Sequence, residues 1–546
     1  MKKTLVIATA GTGSRLAKYT QYYNKAMCTL GPKPVISYII EKFTKEDEIF
    51  ILLGYKGELL KQVVKICYPD WNIRFVYVDK FEGPGSGPGY SLYCAKNFLY
   101  KPFIYWSNDT LIGEDINDFD YSTNWVMVSD FQKENAFEYR HAEVCNDGVT
   151  LKKVHEKNEY EENGRYFPSI ELCYIKDYEQ FWEGAEKHYE EFVKVGVNCG
   201  MNYLNENHPI STIINKTNSW TDTGKTYLFE KYNKEYVAKM EENVLEKEDE
   251  FIWFFDDKIV KFHLNPDFIS GRIERHQILS KLIEGSAFKL PQIISYDTNV
   301  YSYKKEPGRL VSDIVTPKMF ERLIENWFKN IPRIDDPELA ESVYMNFYKK
   351  KTVSRVKTSC RMHNLTDEEI MINDVPCKPV MDLLDKIDWE KISKFGILSK
   401  KVHGDFHLDN ILYNDKEDKF VLLDWRQRFG DSVICDSMYD LGKLFMAFTV
   451  SYEAALKNLY KIEHPAENKI YVDIFAKLVY SRCKEILEKF ILDHYGEQTL
   501  IHAKFIHILI VFGSSGCHPN DYGEFLFYLG KYMLNEFYVN HKEYFI

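Results

Sequence analysis

The chain has 546 residues, of which 45% are hydrophobic and 15% aromatic, so it can form two to four packed domains and lies far from the composition of disordered chains. Its net charge is −12, from 70 Lys and Arg against 82 Asp and Glu, which argues against nonspecific binding of nucleic acid. The sequence has no run of about 18 apolar residues, so no membrane span is expected. Its eleven cysteines form no CxxC pair, which is typical of reduced thiols in a cytoplasmic protein.

The N-terminal apolar segment is predicted to be the first β-strand. Thr4–Ala10 is too short for the apolar region of a signal peptide, and glycines follow it at once. A strand that leads into a Gly-rich loop is a frequent nucleotide site, because glycines let backbone N–H groups approach phosphates. Such glycines can also serve a tight turn alone. The candidate phosphate-binding residues are Gly11, Gly13, Ser14 and the two cations Arg15 and Lys25.

Helix and strand patterns alternate after this loop, which is the order of a doubly wound α/β sheet. The predicted elements are helix Val35–Phe43, strand Ile49–Leu53, helix Leu59–Cys67 and strand Ile73–Val78. A segment with four glycines and two prolines, Gly83–Gly89, then precedes a helix that runs to Leu99. This composition excludes regular structure and leaves a ligand-binding loop or a flexible linker.

Two aspartates far apart in the sequence are candidate metal ligands. Asp109 ends the apolar strand that begins at Pro102, and α/β enzymes place catalytic ligands at the carboxyl ends of central strands. Asp222 lies in the run WTDTGK at 220–225. Two such carboxylates can hold one Mg²⁺ between two phosphate groups. The alternative for either residue is a solvated aspartate in a turn.

Several motifs of this half together resemble the sugar-phosphate nucleotidyltransferases, a family that includes the phosphocholine cytidylyltransferases. They are AxAGxGSRL at 8–16, NKAM at 24–27, KPVI at 33–36, NDTL at 108–111 and WxDxG at 220–224. The resemblance implies that the loop at Gly11 binds the NTP, that Arg15 and Lys25 act on its phosphates, and that Asp109 and Asp222 bind Mg²⁺. It also implies base and ribose contacts from the segment of Gly85, Gly87 and Ser91.

Two further features bear on this resemblance. Glu156 and Lys157 resemble the sugar-phosphate contact of the family, without its proline, and a surface charge pair is the alternative. The chain departs from the family pattern at Lys18, where a proline is usual, and at Lys225, where a threonine is usual. The departure at Lys18 leaves the conformation of the phosphate loop open.

The second half is organised around the polar loop HGDFHLDN at 403–410, which lies between apolar residues. Asp405 and Asn410 are five residues apart, and Asp424 follows the apolar pair Leu422–Leu423. Phosphoryl transfer from ATP requires this set, in which Asp405 orients or deprotonates the attacking hydroxyl and Asn410 and Asp424 hold Mg²⁺. The alternative is a buried polar turn followed by chance by a strand.

This set resembles the aminoglycoside phosphotransferase and choline kinase superfamily, which has a protein-kinase-like fold. The resemblance implies that Lys261, on the second strand of a β-hairpin at 251–262, grips the ATP phosphates and pairs with Glu274 on the next helix. An exposed strand lysine and an exposed helix glutamate are the alternatives. Asp440, in the motif DxxYDL at 436–441, is expected to anchor the catalytic loop rather than to perform chemistry.

The expected fold class is α/β with two domains. Residues 1–235 are predicted to form a Rossmann-like, GT-A-like nucleotidyltransferase domain, and residues 245–546 an α+β protein-kinase-like domain. The kinase domain divides into an N-lobe at 245–315 and a C-lobe at 316–546. The charged stretch Glu230–Glu250 is expected to be a solvated helix or a linker.

The two halves together predict a bifunctional cytoplasmic enzyme. A kinase would phosphorylate a small hydroxyl compound with ATP, and a nucleotidyltransferase would join that phosphate to a nucleotide from CTP or UTP, with Mg²⁺ at both sites. The nucleotide-activated sugar or alcohol would serve surface or capsule polysaccharide synthesis. Two alternatives stay open: a choline kinase with a CTP:phosphocholine cytidylyltransferase, or one degenerate domain that acts as a regulatory nucleotide-binding module. Small molecules are the expected partners, without nucleic acid, and no oligomeric state is predicted.

Overall fold

The structure is a computed structural model that describes residues 2–130, 138–157, 159, 164–215, 220–240 and 249–546. The chain forms two compact units. Unit 1 comprises Met1–Pro266 and Ile293–Lys305, and unit 2 comprises Asp267–Gln292 and Glu306–Ile546. No helix in the described ranges combines the length and the apolar composition needed to cross a bilayer.

The strands of the described ranges are numbered in chain order. The first thirteen are β1 (Thr4–Ala8), β2 (Thr29–Leu30), β3 (Lys33–Pro34), β4 (Glu48–Leu53), β5 (Ile73–Tyr77), β6 (Phe103–Ser107), β7 (Thr110–Leu111), β8 (Asn124–Ser129), β9 (His141–Val144), β10 (Leu151–His155), β11 (Arg165–Ile175), β12 (Ile210–Asn215) and β13 (Thr221–Asp222). The others are β14 (Glu250–Phe254), β15 (Lys258–His263), β16 (Phe288–Lys289), β17 (Ile293–Tyr296), β18 (Val300–Lys304), β19 (Arg309–Leu310), β20 (Ile370–Ile372), β21 (Val375–Cys377), β22 (Leu398–Ser399), β23 (Ile411–Asn414), β24 (Lys419–Leu422), β25 (Cys435–Asp436), β26 (Tyr460–Ala466) and β27 (Lys469–Ile474).

The α-helices are numbered in the same way. Those of the first part are α1 (Ala17–Thr20), α2 (Val35–Ile40), α3 (Gly57–Cys67), α4 (Pro88–Tyr93), α5 (Tyr178–Lys187), α6 (Tyr189–Val195), α7 (Val197–Asn205) and α8 (Thr226–Val237). Those that follow are α9 (Pro266–Leu282), α10 (Val311–Ile314), α11 (Pro317–Phe328), α12 (Pro337–Val343), α13 (Lys350–His363), α14 (Val380–Lys386), α15 (Trp389–Ser393), α16 (Met438–Thr449), α17 (Tyr452–Leu456), α18 (Leu478–Tyr495), α19 (Glu497–Ser515) and α20 (Asp521–Asn540).

Unit 1 is built on a nine-stranded sheet. Its main order is β10-β9-β11-β6-β1-β4-β5, and β8 pairs with β11 and with β12. Strands β6, β1, β4 and β5 run parallel, whereas β11 is antiparallel to β6. The helix α3 and the strands β4 and β5 agree with the predicted elements to within two residues at each end, and α2 begins at the predicted Val35 but ends three residues early, at Ile40. The α/β fold class is therefore confirmed.

The first strand is apolar throughout because both faces of the sheet are covered. Leu5 and Ile7 belong to one buried core, and Val6 belongs to a second core on the other face. All three side chains are completely buried. A central strand of a parallel sheet has this continuous apolar pattern, since successive side chains point to opposite faces.

The hairpin predicted at 251–262 is present as β14 and β15, and it extends into a four-stranded sheet of order β14-β15-β18-β17. This sheet lies in unit 1 and shares the core that contains Leu5. The residues it contributes to that core are Trp253, Phe255, Val260, Phe262 and Val300. Tyr23 packs on Phe251, with ring centroids 4.5 Å apart. The compact units thus do not coincide with the two predicted domains, and the division at 235–245 stays a prediction about function.

Unit 2 is mostly helical and contains two four-stranded sheets, β16-β24-β23-β19 and β21-β20-β27-β26. The hairpin of β23 and β24, called the catalytic hairpin below, joins the predicted catalytic loop to Asp424. The fully buried Arg275 of α9 donates hydrogen bonds to the carbonyl oxygens of Val402 and Val433. These bonds fix α9 to the backbone on either side of the catalytic hairpin.

Candidate active sites

The first candidate site lies at the carboxyl ends of β1 and β6. These strands run parallel with Ala8 opposite Ser107, so the glycine loop and Asp109 leave the sheet at the same edge. Gly13 has a φ of +66°, and a Cβ added there would lie 2.9 Å from Thr20 Cγ2. Ser14 begins a short 3₁₀ turn. The structure thus places the predicted phosphate loop beside Asp109.

Lys25 is held at this edge by its neighbour Asn24. The fully buried Asn24 donates from Nδ2 to Thr9 O at 2.9 Å and to Tyr55 O at 2.7 Å, and its Oδ1 accepts from Ala26 N at 2.9 Å. All its polar atoms are used to connect three segments of backbone. The NKAM motif therefore has a structural residue beside its predicted catalytic one.

Asp109 is an ionised carboxylate at the centre of this site. Its Oδ2 lies 2.7 Å from Lys25 Nζ and 3.5 Å from Arg15 Nη2. Its Oδ1 accepts a hydrogen bond from the Ser107 hydroxyl at 2.6 Å. Burial favours the protonated carboxyl, but the neighbouring cations and the hydroxyl outweigh burial and hold the pKa of Asp109 below its usual range.

Asp222 reaches the same point through a short strand pairing. Strand β13 is antiparallel to β7, with Asp222 opposite Thr110, and Thr223 N donates to Asp109 O at 2.8 Å. A Cβ added at Gly224 would lie 2.8 Å from Asp109 Oδ2 and 2.9 Å from Asp222 Oδ1. The two carboxylates therefore converge on one space that only a glycine leaves open.

This pair fits Mg²⁺. Within the ranges that the structure describes, no group of three or more His, Cys, Asp or Glu side chains is placed to hold a metal ion. Mg²⁺ at sites of phosphate chemistry usually takes one or two carboxylates, with water and substrate oxygens as its other ligands. The converging Asp109 and Asp222 supply two such oxygens.

A third carboxylate at this site, Glu171, was missed in the sequence. It lies in β11 where the pairing with β8 changes register between Ser169 and Cys173, and its φ is +56°. A left-handed glutamate in a strand bulge costs on the order of 1 kcal/mol and is typical of functional sites. Burial and the charge of Asp109 raise the pKa of Glu171. No pattern in the sequence predicts this residue, because only the bulge brings it to Asp109.

A cavity of about 630 Å³ shares Arg15 with this site. Its lining residues are Arg15, Glu138, Lys157, Lys225, Thr226, Tyr227 and Glu230. Burial and then the nearby Arg15, Arg140 and Lys225 lower the pKa of Lys157. The cavity thus contains three cations, the residue type that can bind phosphate groups, together with Glu138 and Glu230.

The other predicted substrate contact, Glu156, forms an ion pair with Arg140, with Oε1 2.8 Å from Nε. Arg140 also binds Glu171 at 3.0 Å. Lys225, which stands where the family usually has a threonine, forms an ion pair with Glu138, and its Nζ lies 4.1 Å from the centre of the Tyr139 ring. Lys18 pairs with Glu230 at 2.5 Å, so both departures from the family pattern have partners in this structure.

The two glycines predicted to contact base and ribose, Gly85 and Gly87, differ in the space available for a side chain. A Cβ at Gly85 would meet no atom within 4 Å, whereas a Cβ at Gly87 would lie 2.1 Å from Val193 O. Gly87 is therefore required by close packing against α6, and a larger residue there tests packing rather than base binding. Ser91 of α4 donates its hydroxyl hydrogen bond to Gly87 O at 3.2 Å.

The second candidate site lies on the loop between β22 and β23 of unit 2. Asp440 of α16 accepts from the backbone N–H groups of His403 and Gly404, each at 2.7 Å, and from Trp327 Nε1 at 3.1 Å. Burial raises the pKa of Asp440 to about 6, against the effect of these donors. The geometry agrees with the expectation that Asp440 anchors the loop.

Asp405 is an ionised carboxylate on this loop. Its Oδ1 lies 2.7 Å from Lys443 Nζ, and its Oδ2 accepts from Asn410 Nδ2 at 3.1 Å. Burial opposes ionisation, but the Lys443 ammonium and His407 outweigh it and hold the pKa of Asp405 well below its usual range. A carboxylate in this state accepts a hydrogen bond from an incoming hydroxyl and orients it. Lys443 was missed in the sequence, although it follows the DxxYDL motif by two residues.

The hairpin of β23 and β24 brings Asn410 and Asp424 to one end. Ile411 is opposite Leu422, and Leu423 N donates to Asn410 O at 2.8 Å. Asp424 has a φ of +56°, which Asp adopts more readily than most residues, and its Oδ1 lies 3.1 Å from Arg272 Nη2. A carboxylate and an amide at this end are the oxygen ligands that Mg²⁺ prefers, so this pair also fits the ion.

The predicted pair of Lys261 and Glu274 falls on two compact units. Lys261 lies on β15 in unit 1 and is 4% exposed. Glu274 lies on α9 in unit 2, and its Oε2 is 2.5 Å from Arg428 Nη2. Lys261 is thus a buried strand lysine rather than the exposed one of the alternative, and Glu274 has an arginine partner that the sequence did not predict.

Residues 401–467 match the model of the Phosphotransferase enzyme family (APH). This phosphotransferase segment contains the Asp405 loop, the catalytic hairpin and the anchoring residue Asp440. The match confirms the resemblance of the C-terminal half to phosphotransferases.

The N-terminal half is similar to curated nucleotidyltransferase-type proteins. The Bifunctional protein GlmU of Methanocaldococcus jannaschii is 25% identical over 263 residues, which are 44% of this chain and 58% of that protein. The GlmU of Methanococcus vannielii is 25% identical over 177 residues, 32% of this chain and 41% of that protein. The Choline-phosphate cytidylyltransferase of Streptococcus pneumoniae is 33% identical over 102 residues, 18% of this chain and 42% of that protein. The chain thus spans about two to three fifths of the length of these relatives.

Solved structures match the same half. The CTP:phosphocholine cytidylyltransferase from Streptococcus pneumoniae covers 43% of this chain and 99% of its own, with 18% identity and a TM-score of 0.35. The UDP-glucose pyrophosphorylase from Acinetobacter baumanii covers 43% and 93%, with 15% identity and a TM-score of 0.36. The sequence comparisons confirm the expected resemblances, and the chain combines a nucleotidyltransferase-like part with a phosphotransferase segment.

Proposed function

We propose that this chain is a bifunctional transferase that couples an ATP-dependent kinase to a nucleotidyltransferase. The observation that carries the proposal is that each compact unit contains its own set of ionised carboxylates, cations and metal-type ligands. Unit 1 has Asp109 and Asp222 beside Lys25, and unit 2 has Asp405 beside Asn410 on the hairpin that leads to Asp424. A degenerate regulatory module would be expected to have lost one of these sets.

In the kinase step, the hydroxyl oxygen of the acceptor attacks the γ-phosphorus of ATP, and the bond to ADP breaks. Asp405 orients the hydroxyl and takes its proton. Asn410 and Asp424 would hold Mg²⁺, which neutralises negative charge on the phosphates. The role of Lys261 on the α- and β-phosphates and its pairing with Glu274 stay predictions from the sequence.

In the nucleotidyl step, an oxygen of the new phosphate ester attacks the α-phosphorus of a second NTP, and pyrophosphate leaves. The loop N–H groups at Gly11, Gly13 and Ser14 bind phosphate oxygens, and Arg15 and Lys25 stabilise the charge that develops. Asp109 and Asp222 would hold Mg²⁺, which would neutralise negative charge on the phosphates. The predicted domain 1–235 supplies these groups.

The cations of the cavity are assigned to the acceptor phosphate. Lys157 and Lys225 line the same space as Arg15, so an ester bound there would present its phosphate to the Asp109 edge. Glu156 keeps Arg140 in place through their ion pair. Gly85, Gly87 and Ser91 belong to the loop that binds base and ribose in this proposal, with Gly87 serving the packing of that loop.

The product is proposed to be a nucleotide-activated sugar or small alcohol for surface polysaccharide synthesis, made with CTP or UTP. Two relatives support the two substrate classes. The Low-salt glycan biosynthesis nucleotidyltransferase Agl11 of Haloferax volcanii is 25% identical over 232 residues, and the Choline-phosphate cytidylyltransferase supports the alternative, choline kinase with CTP:phosphocholine cytidylyltransferase.

The test is a matrix of two assays on the intact chain with Mg²⁺. ADP release is measured with ATP and a panel of sugars and alcohols that includes choline, and pyrophosphate release is measured with CTP, UTP and dTTP and a panel of phosphate esters. We expect one hydroxyl compound to release ADP, and the ester of that same compound to release pyrophosphate with one NTP. Release of only one of the two products across the matrix contradicts the bifunctional proposal.

A further inference from the structure

Two cations contact the Tyr439 hydroxyl near the proposed kinase base, and a third lies on the same helix as Tyr439. Lys351 Nζ of α13 lies 3.2 Å from the Tyr439 hydroxyl, and Arg426 Nη2 lies 3.5 Å from the same oxygen. Lys443 follows Tyr439 by one helical turn, and its Nζ binds Asp405 Oδ1 at 2.7 Å. The Tyr439 side chain is 2% exposed. Two helices and the segment after β24 thus bring three positive charges to the edge of the catalytic loop.

The charges of this cluster are not balanced. Lys443 has Asp405 as its counter-ion. Arg426 donates from Nε to Gly404 O at 3.1 Å, and Lys351 lies over the Phe347 ring at 4.7 Å. No carboxylate oxygen of the described residues lies within ion-pair distance of Lys351 or Arg426. Half-buried cations without a counter-ion cost free energy, which a bound anion would offset.

The excess charge also changes the acidity of the cluster. Burial raises the pKa of Tyr439, but Lys351, Arg426 and Lys443 outweigh burial and lower it to about 8. Burial and then the positive charge of Arg426 and Lys443 lower the pKa of Lys351 to about 8, although Tyr439 acts in the opposite direction. The lowered pKa of Tyr439, which burial opposes, is that of a site with a surplus of positive charge.

The cluster lies on the acceptor side of the proposed reaction. Arg426 is bonded to the backbone of Gly404, next to Asp405, and Lys443 touches the base itself. Asn410, which is assigned to the ATP phosphates through Mg²⁺, contacts the other oxygen of this carboxylate, Oδ2, and Asp424 has Arg272 as its neighbour. The cluster and Asn410 therefore contact different oxygens of Asp405. A quaternary ammonium such as choline would meet the positive charges of Lys351 and Arg426 at this position, which disfavours it.

We propose that the acceptor of the kinase step carries a carboxylate or phosphate group near its hydroxyl, and that Lys351 and Arg426 bind this anion. The inference rests on the proposed kinase function. The hydroxyl oxygen forms its bond to the γ-phosphorus of ATP while the bond to ADP breaks with its electron pair on ADP, and the hydroxyl proton passes to Asp405 and then to water. Lys351 and Arg426 are specificity-determining residues for this acceptor.

The experiment uses the intact chain and acceptors matched in all but charge. ADP release is measured with glycerol, glycerate, glycerol 3-phosphate and choline, and with the neutral, acid and phosphate forms of tetritols and hexoses. We expect the best acceptor to be an anion with a kcat/KM at least about tenfold above that of its neutral match. Charge-assisted hydrogen bonds contribute enough free energy of binding for a change of this size. The carboxylate and phosphate arms distinguish the two sources of the anion. If the best acceptor is neutral, or is choline, the proposal is overturned. If no compound releases ADP, the kinase function itself is contradicted, and the proposal with it.

Three variants locate the anion site. Lys351→Gln and Arg426→Gln are expected to raise the KM for the anionic acceptor by about tenfold and to leave the KM for ATP within about twofold. Arg426→Lys keeps the charge and is expected to retain part of the affinity, so it separates loss of charge from loss of folding. Lys350→Gln, at an exposed neighbour on α13, is the matched control and should change neither constant. A rise in the KM for ATP instead would assign the cluster to the nucleotide and overturn the proposal.

Discussion

Asp109 and Asp405 are the central carboxylates of the two candidate sites, and each has a lysine at 2.7 Å. The two carboxylates differ in the parts of the structure that hold them in place. Asp109 follows a central strand of a nine-stranded sheet, so the register of parallel strands sets its position. Asp405 lies on a loop whose backbone is held by a few side chains, the buried carboxylate of Asp440 and the guanidinium groups of Arg275 and Arg426. The comparison teaches that the first site depends on a large sheet, whereas the second depends on a few side chains.

The largest effect that would sharpen this contrast is expected for Asp440→Ala. Removal of the carboxylate leaves three N–H donors without their buried acceptor, and losses of this kind cost about 3–5 kcal/mol. We expect loss of ADP release and a lowered unfolding midpoint by urea titration. Asp415→Ala, at an exposed ion pair with Arg309, is the control and should stay within about 1 kcal/mol of the parent chain. Normal kinase activity in Asp440→Ala would mean that the loop has another anchor.

A second prediction concerns the sheet of β14, β15, β18 and β17, which the sequence assigns to the kinase domain and the structure places in unit 1. Phe262 is completely buried in the core that also contains Leu5. Phe262→Ala is expected to lower the stability of unit 1 by about 3–5 kcal/mol, although the residue lies beyond the predicted nucleotidyltransferase domain. The check is the temperature at which pyrophosphate release is lost. Tyr296→Ala, at a 60% exposed position of β17 in the same sheet, should have no effect.

Cutting the chain between residues 230 and 250 also tests whether the nucleotidyltransferase part depends on the sheet of β14 and β15 for its stability. With the shared core in place, we expect residues 1–235 alone to be less stable than in the full chain, because the aromatic face under β14 and β15 becomes exposed. Two fragments that are each as active and as stable as the whole would contradict this dependence.

A smaller effect is expected for Glu171→Gln, which keeps the side-chain shape and removes a charge next to Asp109. A nearby carboxylate contributes on the order of 1 kcal/mol to the attraction of a cation, so the Mg²⁺ concentration for half-maximal pyrophosphate release should rise about fivefold. Glu143→Gln, whose partners are Lys152 and His155, is the matched control. An unchanged Mg²⁺ requirement would assign Glu171 to the ion pair with Arg140 alone.

Much of this architecture could be predicted from the sequence because the signals are local. Alternating apolar segments gave β4, α3 and β5 nearly to their ends, and Asp109 and Asp405 follow recognisable strands or motifs. The features that were missed depend on residues that are far apart in the sequence and come together only in the fold. Glu171 needs a bulge in β11, and Arg426 and Lys351 meet at Tyr439 from segments about 75 residues apart in the sequence. The burial of the β14–β15 hairpin in unit 1 likewise has no local signature, since its apolar pattern is the same whichever core it covers.

The central claim is that the chain holds two separate chemistries, and one measurement tests it most directly. ADP release and pyrophosphate release are measured in parallel on the parent chain, Asp109→Ala and Asp405→Asn, each assay with its own saturating substrates. Asp405→Asn is expected to lose about 10²–10⁴ in the rate of ADP release and to keep pyrophosphate release, and Asp109→Ala is expected to show the opposite loss. A variant that loses both activities while it remains folded, or one that loses neither, would contradict the assignment of two independent sites.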